Sequence, residues 1–191
     1  MEVEPVKLHD INLECIIGNT PLIKISDNLY AKLETYNPTG SIKDRMAYYI
    51  LNKAEEEGKL KPGDTIVEAS SGNTGIAFAM LGAIKGYKVK IIMPYNMSEE
   101  RKCMMKMYGA EIIEVGASDF AGAISLRDLI CVENENHFAP RQFCNKHNIE
   151  CHEKTTAQEI LRDTWYYDID AFVSGAGTGG TIMGIQRAFK K

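Results

Sequence analysis

Lys43 stands at the end of a turn-forming run, Pro38-Thr39-Gly40-Ser41-Ile42-Lys43-Asp44-Arg45, and at the head of an apolar series, Met46, Ala47, Ile50, Leu51 and Ala54, that keeps helical spacing until Gly58. Ser41 and Asp44 have the three-residue separation of a capping pair. An amine placed there lies beside unpaired backbone N–H groups and the positive end of a helix dipole, where its proton is lost more easily. A neutral lysine amine attacks carbonyl carbon, so the chemistry to expect is a Schiff base with an aldehyde. The competing reading is an ordinary solvated lysine early in a helix, which this stretch alone does not exclude.

Two further stretches could serve such an amine. Glu68-Ala69-Ser70-Ser71-Gly72-Asn73-Thr74-Gly75 offers three hydroxyls, one amide and several backbone N–H groups in one turn. Hydroxyls and N–H groups at a helix N-terminus bind a carboxylate without an arginine, although a routine cap would use some of the same groups. Val173-Ser174-Gly175-Ala176-Gly177-Thr178-Gly179-Gly180-Thr181 reads as strand, glycine loop and helix, with room for the backbone to close around a phosphate. Gly175 to Gly180 also matches G-x-G-x-x-G, so a dinucleotide fold competes, as does a purely structural glycine turn. The chain has no G-K-[ST], which argues against a nucleoside-triphosphate loop.

The elements that must position these stretches follow from hydrophobic patterning. Two short extended runs, around 22–25 and 30–33, precede the Lys43 helix. Beyond the turn Lys61-Pro62-Gly63-Asp64, strands at 65–69, 88–93 and 111–115 alternate with helices at 74–85, 98–108 and 120–132. Strands separated by helices of this length imply βαβ units, an α/β fold and a parallel sheet, with ligands beyond the carboxyl ends of the strands. Both small-residue turns fall at such ends.

The 191 residues are 45% hydrophobic and 25% charged, the profile of a globular protein of one or two domains. A net charge of −4, with no basic stripe, speaks against nucleic acid as a partner. No window approaches a membrane span, and the start Met1-Glu2-Val3-Glu4 is acidic where a leader would be basic, so a cytoplasmic location without membrane contact is expected. Five cysteines at irregular spacing are expected to stay reduced. Cys144, His147, Cys151 and His152 lack the paired spacing of a structural zinc site, so no metal is expected. Met97, Met104, Met105 and Met107 read as core filler on a helix.

Taken in order, Ile17-Gly18-Asn19-Thr20-Pro21-Leu22, Pro38 to Arg45, Ser70-Ser71-Gly72-Asn73-Thr74-Gly75 and Gly177-Thr178-Gly179-Gly180-Thr181 resemble the motifs of the cysteine synthase family. These are pyridoxal-phosphate enzymes of the β-family, related to O-acetylserine sulfhydrylases and cystathionine β-synthase. Met93-Pro94, Met97-Ser98-Glu99-Glu100-Arg101 and His152-Glu153-Lys154-Thr155-Thr156 are similar to the same family. The resemblance covers essentially the whole chain. It implies a two-domain, tryptophan-synthase-β-like fold: residues 1–39 begin a larger domain, 40–150 form a smaller α/β domain, and 151–191 return to the larger one. It also implies that Lys43 carries pyridoxal 5'-phosphate and acts as the catalytic base. Asn73 then bonds the cofactor's phenolic oxygen, and Gly177, Thr178, Gly179, Gly180 and Thr181 hold its phosphate. Ser70, Ser71, Gly72, Asn73, Thr74 and Gln142 hold the substrate carboxylate.

The activity implied is β-replacement on a serine-derived amino acid, O-acetylserine or O-phosphoserine in type, with sulfide, giving cysteine through an aminoacrylate in a cytoplasmic homodimer. Ser70 and Ala69 stand where the family usually has Thr and Pro, and residues 144–152 lack the family's Asn-Pro-rich stretch. The chain also stops one helix after the phosphate loop, so the part of the larger domain that bears the partner of the pyridine nitrogen is expected to be missing. Two alternatives belong to other classes. One is a non-catalytic, truncated homologue that binds a ligand or partner. The other is a dinucleotide-dependent oxidoreductase, which leaves Lys43 and the Ser70–Gly75 turn without a purpose.

Overall fold

The computed structural model describes residues 13–166 and 168–190. Strands β1 (Leu22–Ser26) and β2 (Leu29–Lys32) pair antiparallel. They are followed by α1 (Lys43–Glu56), β3 (Thr65–Ala69), α2 (Asn73–Lys85), β4 (Lys88–Pro94), α3 (Glu99–Met107), β5 (Glu111–Val115) and α4 (Phe120–Glu133). Strand β6 (His137–Phe138) and helices α5 (Lys146–Lys154), α6 (Thr156–Asp163) and α7 (Gly180–Phe189) complete the described chain. The expected alternation over 65–132 is present to within a residue or two at each boundary.

Strands β5, β4, β3 and β6 form one parallel sheet in that order. All five residues of β3 are buried, as befits a strand covered on both faces. Because strand side chains alternate, Ile66, Ile91 and Met93 point into a core shared with α1, α2 and Met105 of α3. Val67, Ala69 and Ile92 pack against Ala123 of α4 on the other face. The layers are therefore helix, sheet, helix, and the carboxyl ends of β3 and β4 lead straight into the Ser70–Asn73 turn and the loop before α3. Helix α2 ends at Gly86, whose φ of +76° suits a residue without Cβ. A third small core, Ala157, Ile160, Ile185 and Ala188, joins α6 to α7. Helix α5 packs against α1 and α7. At Gly184 a Cβ would lie 2.6 Å from the Ile149 carbonyl oxygen, so the glycine permits this close crossing of α5 and α7.

Three local expectations need correction. Ser41 and Asp44 do not form a reciprocal capping box: Ser41 Oγ accepts from the Lys43 N–H at 3.2 Å, while the Asp44 carboxylate accepts from the Thr39 N–H at 2.7 Å and from its hydroxyl. Asp44 is better used closing the Pro38–Ser41 turn from inside the helix. Residues 168–176 form no strand; a strand needs a ladder partner, none is present among the described residues, and Val173 is 91% exposed. Of the four methionines, Met105 is buried and Met97 half-buried, but Met104 and Met107 face outward, because α3 offers only one side to the sheet. Of the cysteine and histidine cluster on and before α5, His147 pairs with Glu57 and Glu150, and His152 bonds Thr156. Burial raises the Cys151 thiol to about 12.

Candidate active site

Lys43 opens α1, and its amine has no carboxylate partner among the described residues. Burial alone pulls its pKa below the ordinary lysine value, so the neutral, nucleophilic form is favoured more than in a solvated lysine. The helix start is held rigidly. Arg45, two residues on, is buried and donates to Glu34 at 2.7 and 2.8 Å, to Glu159 at 2.5 and 2.8 Å and to Thr20 at 3.1 Å. Glu159 also accepts from the Asn19 N–H at 2.9 Å and pairs with Lys32 at 2.9 Å. Burial opposes ionisation of Glu159, but these donors outweigh it and hold its pKa down to about 2. Gly18, with φ of +82°, has Arg45 Nη1 2.9 Å from where its Cβ would stand. The Ile17–Leu22 stretch thus works as the bed on which Arg45, and with it the head of α1, is laid.

A cleft of about 350 Å³ is lined by Lys43, by Ser70 to Thr74 and by Gln142. The structure therefore brings the amine and the hydroxyl-rich turn together across a sequence separation that only the sheet topology closes. Within the turn the groups divide their work. Ser70 Oγ accepts from the N–H groups of Gly72 at 3.3 Å and Gly75 at 3.1 Å, capping α2 from within. The Thr74 hydroxyl donates to Gln142 Oε1 at 2.7 Å. Ser71, Asn73 and the main-chain N–H groups of Asn73 and Thr74 are left to the cleft, the last two because no residue precedes them in the helix to accept their bonds.

Gln142 is held from four directions. Besides the Thr74 bond, its N–H donates to Glu68 at 3.2 Å, its Nε2 to the Ala69 carbonyl at 3.4 Å, and its own carbonyl accepts from Asn148 Nδ2 at 2.9 Å. Glu68 is fully buried and is answered by Arg127 at 3.0 Å; burial still pushes its carboxyl above the usual range. Glu68, Arg127 and Asn148 were not singled out in the sequence, since each acts through a partner distant along the chain. A charged residue inside an otherwise apolar strand, Glu68 in Thr65–Ala69, was the one signal available. Arg101, which donates to the Ser71 carbonyl at 3.4 Å, and the exposed Phe120 and Phe143 complete the cleft wall.

Gly177 to Thr181 do not line this cleft but are tied to it. Asn148 Nδ2 also donates to Thr178 Oγ1 at 2.9 Å. Behind the loop, His152 is 2% exposed, bonds Thr156 at 2.9 Å and lies 3.4 Å from Thr181 Oγ1. Burial first, then the charges of Lys43 and Arg45, push its pKa down to about 4, so it is neutral at pH 7. The glycines serve different ends. A Cβ at Gly180 would collide with Asn148 Oδ1, Gly179 has φ of +78°, and Gly175 and Gly177 face open space. The donor set fits pyridoxal phosphate: an unpaired amine for its aldehyde, and a glycine loop opening on the first turn of α7 for its phosphate.

The layered parallel sheet, with a hydroxyl-rich helix-start turn at the carboxyl end of β3 and the Lys43 amine in the same cleft, defines an α/β protein whose cleft suits anionic small molecules. The family model for "Pyridoxal-phosphate dependent enzyme" matches residues 13–191, and the chain belongs to this family, whose cofactor is pyridoxal phosphate. It is 47% identical over 188 residues to a cysteine synthase of Staphylococcus aureus (strain Mu50 / ATCC 700699), covering 94% of this chain and 60% of that protein. A solved hydrogen sulfide-producing enzyme of Fusobacterium nucleatum superposes with a TM-score of 0.88 at 44% identity, over 93% of this chain and 57% of the other. The cysteine synthase of Entamoeba histolytica does so with a TM-score of 0.88 at 38% identity, over 100% and 60%. The chain thus spans about 60% of the length of the curated relatives it matches.

Proposed function

We propose that the chain carries the substrate-handling part of a pyridoxal-phosphate enzyme that replaces the β-substituent of a serine-derived amino acid, O-acetylserine or O-phosphoserine in type, with sulfide to give cysteine. The observation that supports this most is the shared cleft: a lysine amine lowered in pKa by burial faces a carboxylate-sized turn rich in donors. Bound pyridoxal phosphate supplies an aldehyde for imine formation and an electron sink for the substrate Cα. Lys43 would hold the cofactor through its amine and, once that amine is free, would take the substrate Cα proton at its Nζ. Ser71, Gly72, Asn73 and the first N–H groups of α2 hold the substrate carboxylate. Ser70, Thr74 and Gln142 keep that turn in shape as well as bounding it. Asn73 would bond the cofactor's phenolic oxygen, and Gly177, Thr178, Gly179, Gly180 and Thr181 would hold its phosphate.

The same reading assigns 40–150 to a smaller domain and 1–39 with 151–191 to a larger one. The placement of the parallel sheet within 65–138 and of the α6–α7 core outside it supports this division. A cytoplasmic homodimer completes the proposal. Among the described residues no helix is long and apolar enough to cross a membrane. The test is cysteine formation from O-acetylserine or O-phosphoserine with sulfide, by the protein and by Lys43→Ala. Formation that depends on both added cofactor and Lys43 supports the reading; cysteine formed equally well by Lys43→Ala contradicts it.

A further inference from the structure

We infer that Asn148 is a positioning residue of the cofactor site: its carboxamide fixes the Thr178 hydroxyl as a donor toward the cofactor phosphate while holding the main chain of Gln142. This rests on the reading of the 177–181 loop given above.

Hydrogen-bond inventory carries the argument. Asn148 is 4% exposed and lies on α5, between the turn that bears Gln142 and the start of α7. A main-chain carbonyl can only accept, so the Gln142 oxygen at 2.9 Å dictates that the amide nitrogen of Asn148 faces it. That nitrogen has two hydrogens. The second goes to Thr178 Oγ1 at 2.9 Å. Thr178 Oγ1 also accepts from the Gly180 N–H at 3.3 Å. A hydroxyl oxygen has two lone pairs and one hydrogen, so both lone pairs are taken and the hydrogen is left to donate. No acceptor for it is present among the described residues, and the neighbouring Gly177 opens on free space. An anion seated on the first turn of α7 is the acceptor this arrangement prepares. Gly180 is part of the device, because a Cβ there would collide with Asn148 Oδ1 and break the strut.

Asn148→Asp tests it. The carboxylate is of the same shape but offers no donor, so it turns the Thr178 hydrogen inward and sets a negative charge beside the phosphate. Titration calorimetry with pyridoxal phosphate and with pyridoxal, which lacks the phosphate, separates this role from a merely structural one. We expect Asn148→Asp to weaken pyridoxal phosphate about tenfold or more, as loss of a hydrogen bond to a charged group implies, with pyridoxal unchanged. Thr178→Val should weaken it similarly, and the double variant Asn148→Ala/Thr178→Val, which adds no charge, should be no weaker than Thr178→Val alone, since both then act through one hydroxyl. Asn148→Ala, which adds no charge, provides the same comparison should the aspartate variant lack a cooperative melt. Equal loss of pyridoxal and pyridoxal phosphate, a loss under about fivefold, or losses that multiply in the double variant would overturn the inference. A wild-type chain that binds no pyridoxal phosphate would instead overturn the functional reading, and this one with it.

Discussion

Replacing Arg45 by methionine should be among the most damaging single changes in the molecule, and its cost can be worked from the surroundings. The guanidinium is 2% exposed and makes five hydrogen bonds, two each to Glu34 and Glu159 and one to Thr20. Methionine retains the aliphatic volume but leaves side chains that are 17% and 9% exposed without their main counter-charge. Breaking a buried pair from one side costs about 3–5 kcal/mol. Lys32, 2.9 Å from Glu159, still answers one of the two acids, so the lower half of that range is expected. With total stability of about 5–15 kcal/mol and a urea slope of ~1.5–2 kcal/mol/M, the unfolding midpoint should fall by about 1.5–2.5 M.

The pH profile carries a second signature of the same network. The folded pKa of Glu159, about 2, lies below its ordinary value of 4.5. Its contribution is therefore present above pH 4.5 and is lost as the pH falls toward 2. Arg45→Met should flatten that acid limb. A midpoint shift below about 0.5 M, with the acid limb unchanged, would refute the claim that Arg45 anchors the head of α1.

Three further outcomes are expected. Ser71→Ala should weaken binding of serine-like substrates about tenfold or more without releasing cofactor, whereas Thr74→Val, which strands the buried Gln142 Oε1, should also cost about 1–3 kcal/mol of stability; equilibrium titrations and urea melts separate the two, and identical behaviour of both variants would contradict the division of labour in that turn. Gly184→Ala drives a Cβ to 2.6 Å from the Ile149 carbonyl and should cost about 1–3 kcal/mol in thermal or urea unfolding, while a neutral result would show that α5 and α7 can move apart freely. The pKa of His152, about 4 when folded against 6.5 unfolded, makes its contribution complete above pH 6.5 and progressively lost down to pH 4. Stability profiles of the wild type and His152→Gln should diverge over that interval, and parallel profiles would contradict it.

The regular part of the fold was legible because its code is local. Thr65–Ala69 and Glu111–Val115 are β-rich runs bounded by turn residues, and the helices between them, α2 and α3, run up to the glycine turns at Gly86 and Gly109. Lys43 and the Ser70–Gly75 turn were legible for the same reason, since a small-residue turn before a helix announces its own geometry. Helix α5 was not, because Lys-His-Asn-Ile-Glu-Cys-His-Glu-Lys buries His147, Asn148, Cys151 and His152 and so shows no apolar stripe. Strand β6 has two residues and no pattern of its own. The Arg127–Glu68 pair and the Glu68–Gln142 bond join residues 59 and 74 positions apart, and such partnerships exist only once the sheet has formed. The strand expected at Val173 failed for the complementary reason, since β-propensity without a ladder partner does not make a strand.

Borohydride reduction of the cofactor-treated protein, followed by peptide mass mapping, shows which amine holds pyridoxal phosphate. One pyridoxyl adduct is expected, on the peptide that contains Lys43, and it should disappear in Lys43→Ala. A dominant adduct on any other lysine, or an undiminished adduct in Lys43→Ala, would contradict that assignment.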